Sequence, residues 1–248
     1  MPSAPWTPRH TAAALAGGHL LIAGAPGTGK SRLLNGTLLP ALVRAGDPLL
    51  VIQDPATGHG PTLGLRAATF GREAAVGDLL ARPTLVTFTG THPEREAQAE
   101  RLFADLPAAL AAAPAPAGAR RFLVIDVAPL TPALRSFATL LRQARSLGCT
   151  LIVTCQSPSS LEPGLPALFT SHVAFYHFYK RCLRVMAENV LAATGAEETN
   201  PSGKPTPINR FGQPLATPAS RMVGKLGDLK VGECFLVTPG APYEPLRT

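Results

Sequence analysis

The sequence predicts an α/β domain with a mostly parallel central sheet flanked by helices. Short apolar runs suited to buried strands alternate with stretches of helical spacing along the 248 residues. Hydrophobic residues make up 46% of the chain, which suits a buried core and argues against disorder. One strand–helix junction carries a glycine-rich octapeptide, Gly24 to Ser31. This alternation favours parallel strands joined by right-handed helical crossovers.

The elements follow in order. Met1 to His10 is proline-rich and polar without a signal-peptide apolar region, so 1–16 reads as an N-terminal extension. His19-Leu20-Leu21-Ile22-Ala23 is the first strand, and Ser31 to Val43 carries leucines at helical spacing. Pro48 to Ile52 is the next strand, followed by Asp54-Pro55. Thr84 to Phe88 is another, followed by a helix over Pro93 to Leu110. Pro107 to Ala119 is almost wholly Ala, Pro and Gly, which ends that helix in a loop. Arg121 to Ile125 leads into Asp126, and a helix over about Thr131 to Leu147 follows. Thr150 to Thr154 is a strand closing with Cys155-Gln156. The main domain so defined spans 17–199. Residues 200–220, rich in Pro, Gly, Ser and Asn, read as a loop, and 221–248 complete the same domain. Within that last part, Glu233 to Val237 reads as an edge-type strand.

The octapeptide says most about chemistry. Gly24-Ala25-Pro26-Gly27-Thr28-Gly29-Lys30-Ser31, set between a strand and a helix, is a nucleoside-triphosphate phosphate loop. Gly24, Gly27 and Gly29 let the backbone turn its N–H groups inward around a phosphate without Cβ clashes. The helix starting near Lys30 adds the positive end of its dipole. Lys30 places a mobile charge on the β/γ-phosphates, and the Ser31 hydroxyl completes a magnesium shell. The nucleotide-contacting set runs from Gly24 through Arg32, with ATP and Mg2+ as the expected cofactors.

Such a loop needs a partner acid. Asp126, at the end of Phe122-Leu123-Val124-Ile125, stands where the second metal-supporting carboxylate belongs, although an aspartate after a strand also suits a turn or helix cap. The next residue, where many such motors carry a glutamate to activate water, is Val127. Either another carboxylate replaces it, hydrolysis is slow, or the protein works mainly by binding nucleotide. Asp54 is one geometrically plausible substitute, with an Asp-Pro turn as its ordinary role. Gln156, at the end of Leu151-Ile152-Val153-Thr154-Cys155, is placed to orient water or sense the γ-phosphate. The catalytic set is therefore Lys30, Asp126 and Gln156, and the magnesium ligands are Ser31 and Asp126.

Composition narrows the setting. The formal net charge is +7, which suits a polyanionic partner and equally an ordinary arginine-rich surface. No run approaches the roughly 18–20 apolar residues that span a bilayer, so a soluble cytoplasmic protein is expected. Cys149, Cys155, Cys182 and Cys234 form no CxxC pair and read as reduced core thiols. His19, His172 and His177 read as packing or strand-face residues rather than metal ligands.

Taken together, these residues resemble a family. His19 to Ala25 followed by Gly27-Thr28-Gly29-Lys30-Ser31 looks like the opening of the FtsK/SpoIIIE DNA translocase motor, in the wider HerA–FtsK class. Asn35, Ile52 to Pro55, Thr154 to Ser159 and Gly195-Ala196-Glu197 are similar to later parts of it, with a weaker echo near Gly227-Asp228. The resemblance covers roughly 17–200 and extends to conjugative coupling ATPases. It implies a RecA-like fold, a ring of subunits (commonly six), and ATP-driven, sequence-independent movement of double-stranded DNA. Val127 in place of the family's glutamate and Ala56 in place of a frequent lysine depart from the pattern. With no separate DNA-reading domain, the chain resembles a minimal motor of the kind carried by a phage, plasmid or other mobile element. An arginine from a neighbouring subunit would neutralise transition-state charge, with Arg120, Arg121, Arg142 and Arg145 as candidates. Two other classes stay open: a protein-remodelling AAA+ ATPase, and a hydrolysis-impaired, nucleotide-dependent DNA-anchoring or assembly protein.

Overall fold

Apolar strands bounded by glycine and proline build the sheet of this computed structural model. It describes residues 3–16, 18–53, 64–70, 75–113, 119–126, 135–177, 180–194, 218–238 and 245–248. Asp54, Ala56, Val127, the Gly195-Ala196-Glu197 motif and the loop from 200 to 217 lie outside the described residues.

The strands are β1 (Ala4–Pro5), β2 (Leu20–Ala23), β3 (Leu49–Gln53), β4 (Arg66–Thr69) and β5 (Thr84–Thr87). They continue as β6 (Arg121–Asp126), β7 (Cys149–Cys155), β8 (Ser171–Phe175), β9 (Glu233–Val237) and β10 (Pro245–Arg247). Their order across the sheet is β1-β10-β9-β8-β2-β7-β6-β3-β5-β4. Of the described pairings, only those of β9, with β8 and β10, are antiparallel. A strand buried on both faces reads as a continuous apolar run, and β2, β3, β6 and β7 are buried throughout.

Helices cover both faces. They are α1 (Pro8–Ala16), α2 (Lys30–Leu33), α3 (Leu39–Ala45), α4 (Val76–Leu80), α5 (His92–Ala112), α6 (Arg135–Gln143), α7 (Lys180–Thr194) and α8 (Pro218–Gly227). Along β2, Leu21 and Ala23 join a core with α5 to α8, whereas Leu20 and Ile22 join one with α1 to α3. Period-2 alternation of an all-apolar strand thus feeds two cores at once.

Several sequence expectations are corrected. Glu233 to Val237 is not an edge strand: it lies between β8 and β10, and the short strands β10 and β1 cap that side. The helix after β5, expected over Pro93 to Leu110, spans His92–Ala112 and runs through Pro107. Its start is fixed by a capping box, in which Thr91 N–H donates to Glu94 Oε2 at 2.6 Å. The helix expected over Thr131 to Leu147 is described only as Arg135–Gln143, with 144–148 in turns. The helix after the phosphate loop is not regular, because Leu34–Leu38 forms a π turn between α2 and α3. Pro40 explains it: its ring has no N–H for the Gly36 carbonyl and would crowd it, and a wider turn relieves the clash. The N-terminal residues also join the body, through pairing of Ala4 with Leu246 and Pro5 with Arg247. Pro218 to Ser220, expected in a loop, begin α8.

Candidate nucleotide site

The chain leaves β2 at Ala23 and enters the octapeptide between the ends of β7 and β8, its two neighbours in the sheet. Gly24 N–H donates to Cys155 O at 3.3 Å and Ala25 N–H to Tyr176 O at 3.0 Å, so each side of the loop is tied to a strand. A third tie comes from the turn before β9, where Gly232 N–H donates to Thr28 O at 2.9 Å. Within the loop, the Thr28 hydroxyl donates to Ala25 O at 2.8 Å. Gly27 and Gly29 have φ of 75° and 114°, in the left-handed region that the turn requires.

Gly24 is demanded by packing: a Cβ there would stand 2.5 Å from the Cβ of Phe175, a side chain buried under the loop. Gly24→Ala therefore should cost about 2–3 kcal/mol in urea unfolding, the upper part of the range for overpacked cores. A loss under 1 kcal/mol would refute this contact. A Cβ on Gly27, by contrast, would meet nothing within 4 Å, so the crest of the loop opens to solvent.

Lys30 begins α2 and folds back on the loop. Its Nζ donates to Gly24 O at 2.7 Å and Ala25 O at 2.9 Å. An ammonium has three donors, so one N–H remains for a ligand. Burial pulls the Lys30 pKa down, while the Cys155 and Asp126 charges oppose that shift. Ser31 is half-buried, and Arg32 and Pro26 are exposed.

Asp126 ends β6, two strands from the loop, with β7 between. It is buried and held from both flanking strands. The Thr154 hydroxyl of β7 donates to Asp126 Oδ1, and Gln53 Nε2 of β3 donates to Oδ2 at 3.4 Å. Gln53 stands in register opposite Asp126, which is why the two meet. A buried carboxylate stripped of a donor is costly, so Thr154→Val should destabilise by about 1–3 kcal/mol and Thr154→Ser far less. Equal melting temperatures for the two variants would show that this hydrogen bond is idle.

Gln156 emerges from β7 beside the loop, exposed, because Cys155 pairs in register with Ala23. Its backbone bonds His177, a buried residue just past β8. Burial and the Lys30 charge both lower the His177 pKa, and that bond partly offsets them. The Cys155 thiol, fully enclosed next to Lys30, is pushed up to about 12 by burial. It stays a thiol, and Cys149, Cys182 and Cys234 are likewise free of disulfides.

No protein-family model matches this chain, and no curated protein does. Solved structures do. The plasmid coupling protein TrwB, in complex with the non-hydrolysable GTP analogue GDPNP, aligns at TM-score 0.61 and 14% identity. That alignment covers 100% of this chain and 89% of TrwB. The genome packaging NTPase B204 from Sulfolobus turreted icosahedral virus 2, in complex with AMPPCP, aligns at TM-score 0.58 and 12% identity. Here 92% of this chain and 96% of that one are covered. The cytoplasmic domain of the Thermomonospora curvata type VII secretion ATPase EccC gives 0.55 at 20% identity, over 93% of this chain and 25% of that one. The fold is that of the RecA-like P-loop NTPases. The resemblance to the FtsK/HerA class drawn from the motifs agrees with these neighbours at the level of fold.

In this fold, Lys30, Asp126 and Gln156 are all brought to the C-terminal edge of β2, β6 and β7, where open α/β sheets bind ligands. Among the arginines considered, Arg121 starts β6, Arg120 directly precedes it and Arg145 precedes β7, all at the opposite edge. Arg142 pairs with Glu162 at 3.3 Å on an exposed surface. Three residues at the site escaped the sequence reading: Gln53, Thr154 and His177. The signal for the first two was present, since each is a polar residue near the C-terminal end of an apolar strand.

Proposed function

We propose that this chain is an ATPase of the FtsK/HerA type that couples ATP hydrolysis to sequence-independent movement of double-stranded DNA, working as a ring of subunits. The observation that carries the reading is the gathering of the loop lysine, the strand-end carboxylate and the strand-end glutamine on one sheet edge. Structural likeness to proteins described as a genome packaging NTPase and a plasmid coupling protein supports the DNA-directed part.

The residues present fit a magnesium-bound triphosphate. Pro26 and Gly27 form an open crest, Lys30 keeps one free N–H, and Ser31 with Asp126 supplies the oxygen ligands a hard cation prefers. Such a nucleotide, when bound, supplies the transferable phosphoryl group. Lys30 neutralises charge at the phosphates, and the Thr154 and Gln53 donors hold Asp126 in one orientation. Gln156, with an exposed amide, orients water or reports the γ-phosphate. His177 fixes the backbone from which that amide projects.

ATP turnover measured with and without linear duplex DNA tests the reading. DNA should raise turnover severalfold, and the stimulation should fall steeply as salt rises, because phosphate contacts release counterions. Stimulation by protein alone would instead favour a remodelling ATPase. ATP binding without turnover would favour a nucleotide-dependent anchor.

A further inference from the structure

The sheet carries a second concave region at its other edge. The nucleotide elements lie at the C-terminal ends of β2, β6 and β7, whereas this cavity lies at their N-terminal ends. Its volume is about 400 Å3, within the range of small-ligand sites, and Gly18, Arg120, Arg145, Gly148 and Thr150 line it.

Its charge has one sign. Arg120 Nη1 donates to Leu15 O at 2.9 Å, at the C-terminal end of α1, where carbonyls favour a cation. Arg145 lies across Gly18, whose Cβ would come within 3.0 Å of Nη2, so the missing side chain makes room for the guanidinium. Arg145 is exposed, and its guanidinium has no hydrogen bond or ion pair among the described residues. Buried Arg121 donates to Ala113 O and interacts with the Cys149 side chain. Its charge is felt by the thiol of Cys149, which also lines the cavity. None of the three arginines has an acidic partner among the described residues. The lining holds no carboxylate to attract a cation and no aromatic ring to stack on a base.

We propose that this cavity is an anion site for a phosphoryl group, with the guanidiniums of Arg145 and Arg120 as its donors. Planar guanidinium forks match phosphate oxygens, and the lining offers them no competing carboxylate. The phosphate belongs either to a free phosphate compound or to a nucleic-acid backbone.

Calorimetric titration with pyrophosphate tests the site, using the full chain, Lys30→Ala, Arg145→Gln and the double variant. Two sites are expected in the parent, one in each single variant and none in the double. Arg145→Lys should restore part of the binding lost in Arg145→Gln. Duplex DNA binding across a salt series then separates the sources. A log–log slope shallower by about one unit in Arg145→Gln assigns a backbone phosphate, and an unchanged slope assigns a free one. A single parent site abolished by Lys30→Ala, or equal pyrophosphate binding with and without Arg145, overturns the proposal. Because the cavity is counted in the Lys30→Ala background, its failure is separate from failure of the nucleotide site.

Discussion

Replacing Lys30 by alanine should lower ATP turnover by roughly 100-fold or more, the scale seen when one preorganised donor to developing charge is removed. The expectation rests on geometry as well as on charge. Nζ is fixed by two loop carbonyls at 2.7 and 2.9 Å, so the ammonium is already positioned before any ligand arrives. No other lysine occupies the described part of the loop, and the nearby His177 is driven toward its neutral form by burial and by Lys30 itself. Lys30→Arg should not rescue, because a planar fork cannot reproduce a compact ammonium folded back on the loop. Turnover and fluorescent-nucleotide binding measure the loss, and thermal unfolding checks that the fold persists. Turnover within tenfold of the parent would remove Lys30 from the site.

Acid should destabilise this protein progressively as pH falls from 6.5 to 4. His19 and His172 are buried, and burial holds both down to about 4. At His19 the Arg145 charge adds to that shift, and the Leu141 carbonyl opposes it. His19 Nδ1 accepts the Leu151 N–H at 3.1 Å, which fixes the neutral tautomer with its proton on Nε2. An unfolded chain protonates both rings near 6.5, so between pH 6.5 and 4 it binds more protons than the folded one. Stability is thus complete above 6.5 and falls as pH drops through that window, by up to about 3 kcal/mol per histidine. Two such losses are comparable with the whole stability of a typical domain. The urea midpoint measured from pH 7 to 4.5 should decline, and His172→Gln should flatten the decline by about half. A level midpoint over that range would show that the rings charge without resistance.

Much of the fold was legible because parallel strands buried on both faces announce themselves as apolar runs. Leu20 to Ala23, Leu49 to Ile52 and Phe122 to Ile125 need no partner to be recognised. Elements whose stability is borrowed were not legible. β1 and β10 have two and three residues and exist only by pairing with neighbours. The interior place of β9 depends on those same short strands. α5 runs through Pro107 against proline's local preference, because Leu106 and Leu110, both buried, hold the helix on either side of it. The site divides the same way. Gly24 to Ser31 is one contiguous motif, but Gln53 and Thr154 meet Asp126 only through the registers of β3, β6 and β7. Register is a tertiary quantity, and 73 residues separate Gln53 from its partner.

The three backbone ties on the phosphate loop, from Cys155, Tyr176 and Gly232, have a thermodynamic consequence. A loop moored to β7, β8 and the entry of β9 has little freedom left to surrender when a ligand arrives. Nucleotide binding should then carry a small ordering penalty, and its entropy should be dominated by released water and counterions rather than by chain stiffening. The amides of Gly24, Ala25 and Gly232 should be slow to exchange with solvent even in the free protein, marking the receptor as shaped in advance.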